Sequence, residues 1–363
     1  MAKKPSPDEH LSPLNYRSLN ATFYRAEPAD YFERRLQNLI LVAGNRAGLD
    51  DLLAAGVTFK DLTIGGRPPR TTSDEAGASG EPNVDVETGA IRFVTAETEV
   101  LSHHVGETLL RLYLAHEFEP GDPAPDCPLL ELSRLRQPSA FRKRLEQRFD
   151  DETDPAAKRG AVANVFHVTD VRENILPAPP DASAWERSLD LLEGYLRAFA
   201  HRCLAKAPLY NAAKHGLAVT PTEMGVKYGD GSIISADGPV IQYLEVREQD
   251  PDVPRWFHVT HWVRSDLQMT LTWQAARMIQ MLWSVARFRY LSAERKAGMQ
   301  LHLMTGPAYH ELAFSGQRPA SGVEVEDMAV ELLYEVPDVG GGSGEEGATA
   351  PVDDGAAARP GEP

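Results

Sequence analysis

Residues 265–293, SDLQMTLTWQAARMIQMLWSVARFRYLSA, decide how the rest of the chain is read. Leu267, Leu271, Met278, Leu282 and Val285 recur at helical spacing along one side, and Trp273, Ala276, Trp283, Ala286 and Tyr290 along another. A helix with one apolar stripe covers a core, whereas a helix with two is packed from both sides. The segment therefore predicts a long, buried, central helix. Gln274, Arg277 and Gln280 interrupt it, and a charge near a bilayer centre is costly, so no membrane partner is expected.

Working upstream, the period changes from helical to two. Residues 240–246 and 255–263 read as strands separated by a loop with Pro251 and Pro254. Val226 and Tyr228 precede Gly229-Asp230-Gly231, a hairpin turn that Ser232–Ser235 can return from. An antiparallel meander is thus expected at about 224–263. Before it, Trp185, Leu189, Leu192, Leu196, Phe199 and Cys203 form one stripe of a helix over 184–207. Pro208 interrupts that helix, and residues 209–215 make a short one ending at Gly216. A further strand pair is expected at 299–304 and 323–336. The fold class is α+β: a mainly helical bundle with a small inserted antiparallel β-meander.

Nearer the N-terminus, Asp30 can cap a helix through Gly44, and residues 50–55 continue helical in character. Pro68, Pro69, Gly77, Gly80 and Pro82 crowd the next stretch, so residues 65–90 read as a flexible linker or loop. A helix begins near Thr95 and stops before Gly121 and Pro123; another over 129–149 breaks at Pro138. Residues 337–363, with six acidic side chains and one arginine, bury almost nothing and read as a disordered acidic tail. The expected organisation is an N-terminal helical segment (1–64), the linker (65–90), a helical domain carrying the meander (91–336) and the tail (337–363).

Composition sets the outer bounds. The 363 residues are 42% hydrophobic and 25% charged, as in soluble globular chains, and the net charge of −16 excludes a uniformly basic nucleic-acid surface. Two cysteines, Cys127 and Cys203, cannot build a disulfide framework or a zinc ribbon. Asp8, Glu9 and His10 stand where an export signal needs its apolar run, so a cytoplasmic location is expected. No phosphate-cradling Gly-Lys-Ser/Thr loop, Gly-x-Ser-x-Gly turn or His-Glu-x-x-His helix is present, which removes the usual ATPase, serine-hydrolase and zincin signatures, and no cofactor is expected.

Two constellations can carry chemistry. In His103-His104-x-x-Glu107-x-x-x-Arg111, positions 103, 107 and 111 stack on one helical face, as an acid–base or metal array or as an ordinary Glu–Arg pair beside histidines. A metal-dependent hydrolase would use His103, His104 and Glu107. Asn211 and His215, one turn apart in Asn-Ala-Ala-Lys-His-Gly, can hold a phosphate or move a proton, or His215 can simply cap a helix end. Residues 129–149 and 264–296 each carry a net charge of +4 and could line one groove or pair with acidic neighbours. Trp256, His258 and Trp262 share a strand face that suits either base stacking or a sheet core.

The segment Arg111-Leu-Tyr-Leu-Ala-His116 resembles the Arg-x4-6-His motif of HEPN proteins, helical bundles that include many RNA-cleaving toxins and defence ribonucleases, and Tyr-Asn-Ala-Ala-Lys-His-Gly is similar to the Asn/Lys-His ends of some HEPN-like bacterial families. The resemblance implies RNA as partner, metal-independent cleavage through the ribose 2′-OH, Arg111 and His116 as the catalytic pair, Asn211 and His215 as a second set, and a cleft often formed across a homodimer. Five residues along an ideal helix turn side chains about 140° apart, so a shared site needs the helix to loosen near His116. A non-enzymatic protein-interaction or scaffold protein is the alternative reading.

Overall fold

The computed structural model describes residues 12–26, 28–44, 57–59, 62–64, 84–149, 155–167, 182–215, 219–220, 224–227, 233–236, 240–247, 255–291, 302–314 and 329–334. In chain order these form α1 (Pro13–Phe23), α2 (Pro28–Gly44), β1 (Val57–Phe59), β2 (Leu62–Ile64), α3 (Val84–His116), α4 (Pro128–Arg134), α5 (Pro138–Phe149), α6 (Pro155–His167), α7 (Ala182–Ala205), α8 (Ala207–His215), β3 (Val219–Thr220), β4 (Met224–Lys227), β5 (Ile233–Ala236), β6 (Val240–Arg247), β7 (Arg255–Trp262), α9 (Ser265–Tyr290), α10 (Tyr309–Phe314) and β8 (Ala329–Tyr334). The chain is mostly helical with a small antiparallel sheet, as its patterning requires.

Helix α9 is the centre. Asp266 in its first turn and Arg287 and Arg289 in its last suit the helix dipole, and side chains from both apolar stripes are buried, including Leu271, Met278, Leu282, Ala276, Trp283 and Ala286. Trp273 departs from the expectation and is 43% exposed. It shares a seven-residue row with Asp266 and Gln280, also exposed, so α9 keeps one narrow line to solvent. Helix α3 packs along α9, and α7 closes on α3 at Gly106, where a Cβ would stand 3.0 Å from the Phe199 ring. One continuous core joins Phe32, Leu36 and Leu39 of α2 to Leu101 and Tyr113 of α3, Leu192 and Phe199 of α7 and Leu271 and Leu282 of α9. No helix among the described residues is long and apolar enough to cross a membrane.

The main sheet has the order β3-β6-β7-β8, with antiparallel pairing throughout. Its inner end sits on α8, where Leu209 and Ala213 pack with Ile241 and Val263. The β6–β7 register runs from Val240↔Trp262 outward to Arg247↔Arg255, and β8 continues it with Trp256↔Tyr334.

Several expectations need correction. The N-terminal segment is not a separate helical unit: α1 and α2 share the core, Trp283 Nε1 donates to the Ala26 carbonyl at 2.6 Å and Arg287 Nε to that of Tyr24 at 2.7 Å, and the hairpin β1–β2 lies in its second half. Residues 84–90, expected as loop, are the first turns of α3, because the next proline after Pro82 is Pro120, beyond the helix, and Gly89 costs a helix only about 1 kcal/mol. The hairpin β4–β5 forms its own two-stranded sheet instead of joining the meander, and β8, far along the chain, takes the place beside β7. Of the strand expected at 299–304, residues 302–304 are irregular and 299–301 lie outside the described residues. The expectations for 50–55, for 65–83 and for the tail 337–363 lie outside the described residues.

Candidate functional site

Helix α3 carries most of the candidate residues. Adjacent positions leave a helix about 100° apart, so His103 and His104 go to different neighbours. The His103 ring stacks on Tyr210 of α8 at 4.0 Å and 9°, while His104 meets Phe32 of α2 edge-on at 5.3 Å. Burial lowers the pKa of both; Glu107 opposes it at each, and Arg35 adds to it at His104. Both rings are therefore neutral near pH 7. Glu107 turns to its own helix and accepts from Arg111 Nε at 2.9 Å and Nη2 at 2.5 Å. The triad His103, His104 and Glu107 consequently does not converge, and among the described residues no three His, Cys, Asp or Glu side chains stand together as a metal site.

Arg111 lies with its guanidinium 4.1 Å from the centre of the Phe141 ring of α5. His116 closes α3 on another side and is 2% exposed. Its Nδ1 is 2.7 Å from the Leu112 carbonyl and its Nε2 2.6 Å from Tyr24 Oη. A carbonyl only accepts, so Nδ1 carries the proton and Tyr24 donates to Nε2. Burial brings the His116 pKa down to about 4, helped by the Arg289 charge. Both ring nitrogens are thus occupied inside the core, against Tyr24 and Tyr290. Within one chain Arg111 and His116 do not face a common space, and the loosening that a shared site requires is absent, since α3 is regular through His116.

Asn211 is exposed on α8, whose Leu209 and Ala213 turn inward. His215 is the last residue of that helix, and its side chain lies outside those described.

The basic helices do not build a common groove from their cations. Arg148 of α5 is buried and ion-paired with Glu117 Oε1, and it donates to Tyr113 Oη at 2.6 Å and to the Lys158 carbonyl at 3.0 Å. Arg289 of α9 donates to the Asn164 carbonyl at 2.5 Å, and Arg287 reaches the carbonyls of the α1–α2 turn. What stays at the surface is the α4–α5 corner, with Arg134, Arg136, Arg142 and Lys143 exposed.

Sequence reading missed a buried polar seam. Arg202 of α7 donates to Gln268 of α9 at 2.8 Å and lies 3.4 Å from Glu99 of α3, all three being almost wholly buried. Among the described residues, the second oxygen of Glu99 and the hydroxyl of Ser102 have no hydrogen-bond partner. A buried, under-satisfied carboxylate is tolerated only because Arg202 is beside it. The available signal was Arg202 itself, a cation next to Cys203 in an apolar stripe.

On the sheet, Trp256, His258, Thr260 and Trp262 alternate onto one face of β7. Trp262 at the inner end is buried, His258 half-buried and Trp256 exposed. The fold and these contacts define the class: an α+β helical bundle bearing an antiparallel sheet whose outer end extends beyond the core. No protein-family model, curated protein or solved structure matches the chain.

Proposed function

We propose that this chain is a non-enzymatic interaction protein of the cytoplasm that docks a second copy of itself through the outer end of the β6–β7–β8 sheet. The observation carrying this reading is the pair Leu244 and Trp256. Leu244 is opposite His258 and Trp256 opposite Val246, which makes the two diagonal neighbours on one face. They are 62% and 44% exposed, whereas Val240 and Trp262 at the inner end of the same face are buried. The face passes from the core through Gln242, His258 and Thr260 to an apolar pair at the surface, and fully burying each of two such side chains contributes about 1.5–3 kcal/mol. Tryptophan is also the residue type most enriched at interface centres.

A second copy suits this face because a twofold contact sets a patch against its own image. Gln242, Leu244, Trp256 and Thr260 carry no charge and the half-buried His258 among them is no carboxylate, so the image brings no acidic groups together there, despite a chain charge of −16. Both cysteines are free thiols, which fits a reducing compartment. The engagement of His116 with Tyr24 and Leu112, and of Arg111 with Glu107, weighs against these two as the catalytic pair of a HEPN-like ribonuclease and so favours the interaction reading.

A photoreactive benzoylphenylalanine in place of Leu244 tests the reading. Irradiation is expected to join it to residues 242–246 or 255–260 of another copy. Adducts confined to other surfaces contradict the docking, and EDTA-resistant RNA cleavage lost in His116→Ala contradicts the non-enzymatic reading.

A further inference from the structure

We infer that the basic α4–α5 corner is the docking site for the acidic segment 337–363 of the same chain. The corner is built by sequence that keeps cations outside while its apolar residues turn in: Leu135, Phe141 and Leu145 are buried, and Arg134, Arg136, Arg142 and Lys143 are exposed, with Arg144 half-buried beside them. Three of these five have carboxylate neighbours, namely Arg134 with Glu131 at 3.2 Å, Arg142 with Glu146 at 3.0 Å and Arg144 with Glu117 at 3.4 Å. Glu117 is already shared with Arg148. Arg136 and Lys143 have no carboxylate partner among the described residues. Exposed helix pairs of this kind are worth little, so an incoming acid displaces Glu131 or Glu146 at small cost.

The corner opposes the sign of the molecule, whose net charge is −16. The complementary partner is in the chain itself. Segment 337–363, PDVGGGSGEEGATAPVDDGAAARPGEP, carries six acidic residues against one arginine and presents them as two doublets, Glu345-Glu346 and Asp353-Asp354. A carboxylate meets an arginine or lysine in a charge-assisted hydrogen bond, and Arg142 and Lys143, which leave their helix about 100° apart, each offer a separate partner for an acid of a doublet. Reach is set by the second doublet: at about 3.5 Å per residue, the 19 residues from Tyr334 to Asp353 span up to about 67 Å, against about 39 Å for the length of α9 and about 20 Å for β7 from Trp256 to Trp262, which separate Tyr334 from the corner. Tethering also raises the local concentration of the acids to about the millimolar range, which a free polyanion must overcome. A nucleic acid is the other occupant this charge would suit. The covalently attached acid is favoured because a free polyanion must approach a molecule of net charge −16.

Zero-length carbodiimide coupling of the full chain, mixed from isotopically light and heavy protein, tests this directly. Lys143 is expected to join Glu345, Glu346, Asp353 or Asp354 within one chain, with a yield that falls about tenfold from 50 mM to 0.5 M salt. The link is expected to disappear in Lys143→Gln, a surface change that leaves the thermal midpoint unaltered. Exposed Lys214 serves as the reference amine. Equal coupling of the segment to Lys214 and Lys143, coupling only between light and heavy chains, or no link to a Lys143 that an amine-reactive ester still labels would each overturn the proposal. Co-purifying RNA that shields Lys143 from acylation, with no link to the segment, assigns the corner to nucleic acid and overturns it as well.

Discussion

His116 has a folded pKa of about 4 against 6.5 when exposed, so between those values the unfolded chain binds the extra proton. Its contribution to stability is complete above about pH 6.5 and is lost as the pH falls toward 4, by about 3 kcal/mol in all. Burial brings His261 down to about 3, and it acts in the same direction. Urea midpoints measured from pH 7 to pH 4.5 should therefore fall, and His116→Gln should flatten part of the slope; a His116 ring titrating near pH 6.5 by NMR would contradict the tautomer and its burial. Tyr24→Phe removes the hydroxyl that donates to Nε2 and should cost about 1–3 kcal/mol, read from the same urea curves. The spacing of Arg111 and His116 was legible in the sequence, but their surroundings were not. A five-residue interval fixes the angle between two side chains on a helix and says nothing of Tyr24, 92 positions away, which occupies one of them.

Among the elements, Arg148 of α5, Glu117 after α3 and the Lys158 carbonyl of α6 are fastened together in the interior around Tyr113. Removing one partner of such a pair strands the other charge, so Arg148→Ala should cost about 3–5 kcal/mol by urea denaturation, whereas Glu117→Gln with Arg148→Met should come closer to neutral. Equal losses in both variants would show that packing rather than charge joins these helices. Elements with a single clear stripe or a period of two, such as α7, β6 and β7, could be read from sequence because one face meets the core. Helix α6 could not, since Ala161–His167 are buried all round and leave no alternation to detect. Helix α1 escaped for the opposite reason, its polar Asn15, Arg17, Ser18 and Asn20 masking the few residues it packs. The displacement of β4–β5 from the main sheet was equally hidden, because strand period gives a face but not a partner.

At the scale of the whole molecule, the chain buries His116, His167, Arg148 and Arg202 among its helices and leaves the Leu244 and Trp256 end of the sheet and a basic corner at the surface. Leu244→Lys and Trp256→Lys place charges on that sheet end without touching the inner end, so both should fold with unchanged far-ultraviolet dichroism. The decisive measurement is the mass in solution by multi-angle light scattering, from micromolar to about 100 μM, for the natural chain and the Leu244→Lys/Trp256→Lys double variant. Docking through the sheet predicts that the natural chain rises with concentration from 39.9 kDa toward twice that mass while the double variant stays at 39.9 kDa. A natural chain that remains at 39.9 kDa throughout, or a double variant that dimerises equally well, would contradict it.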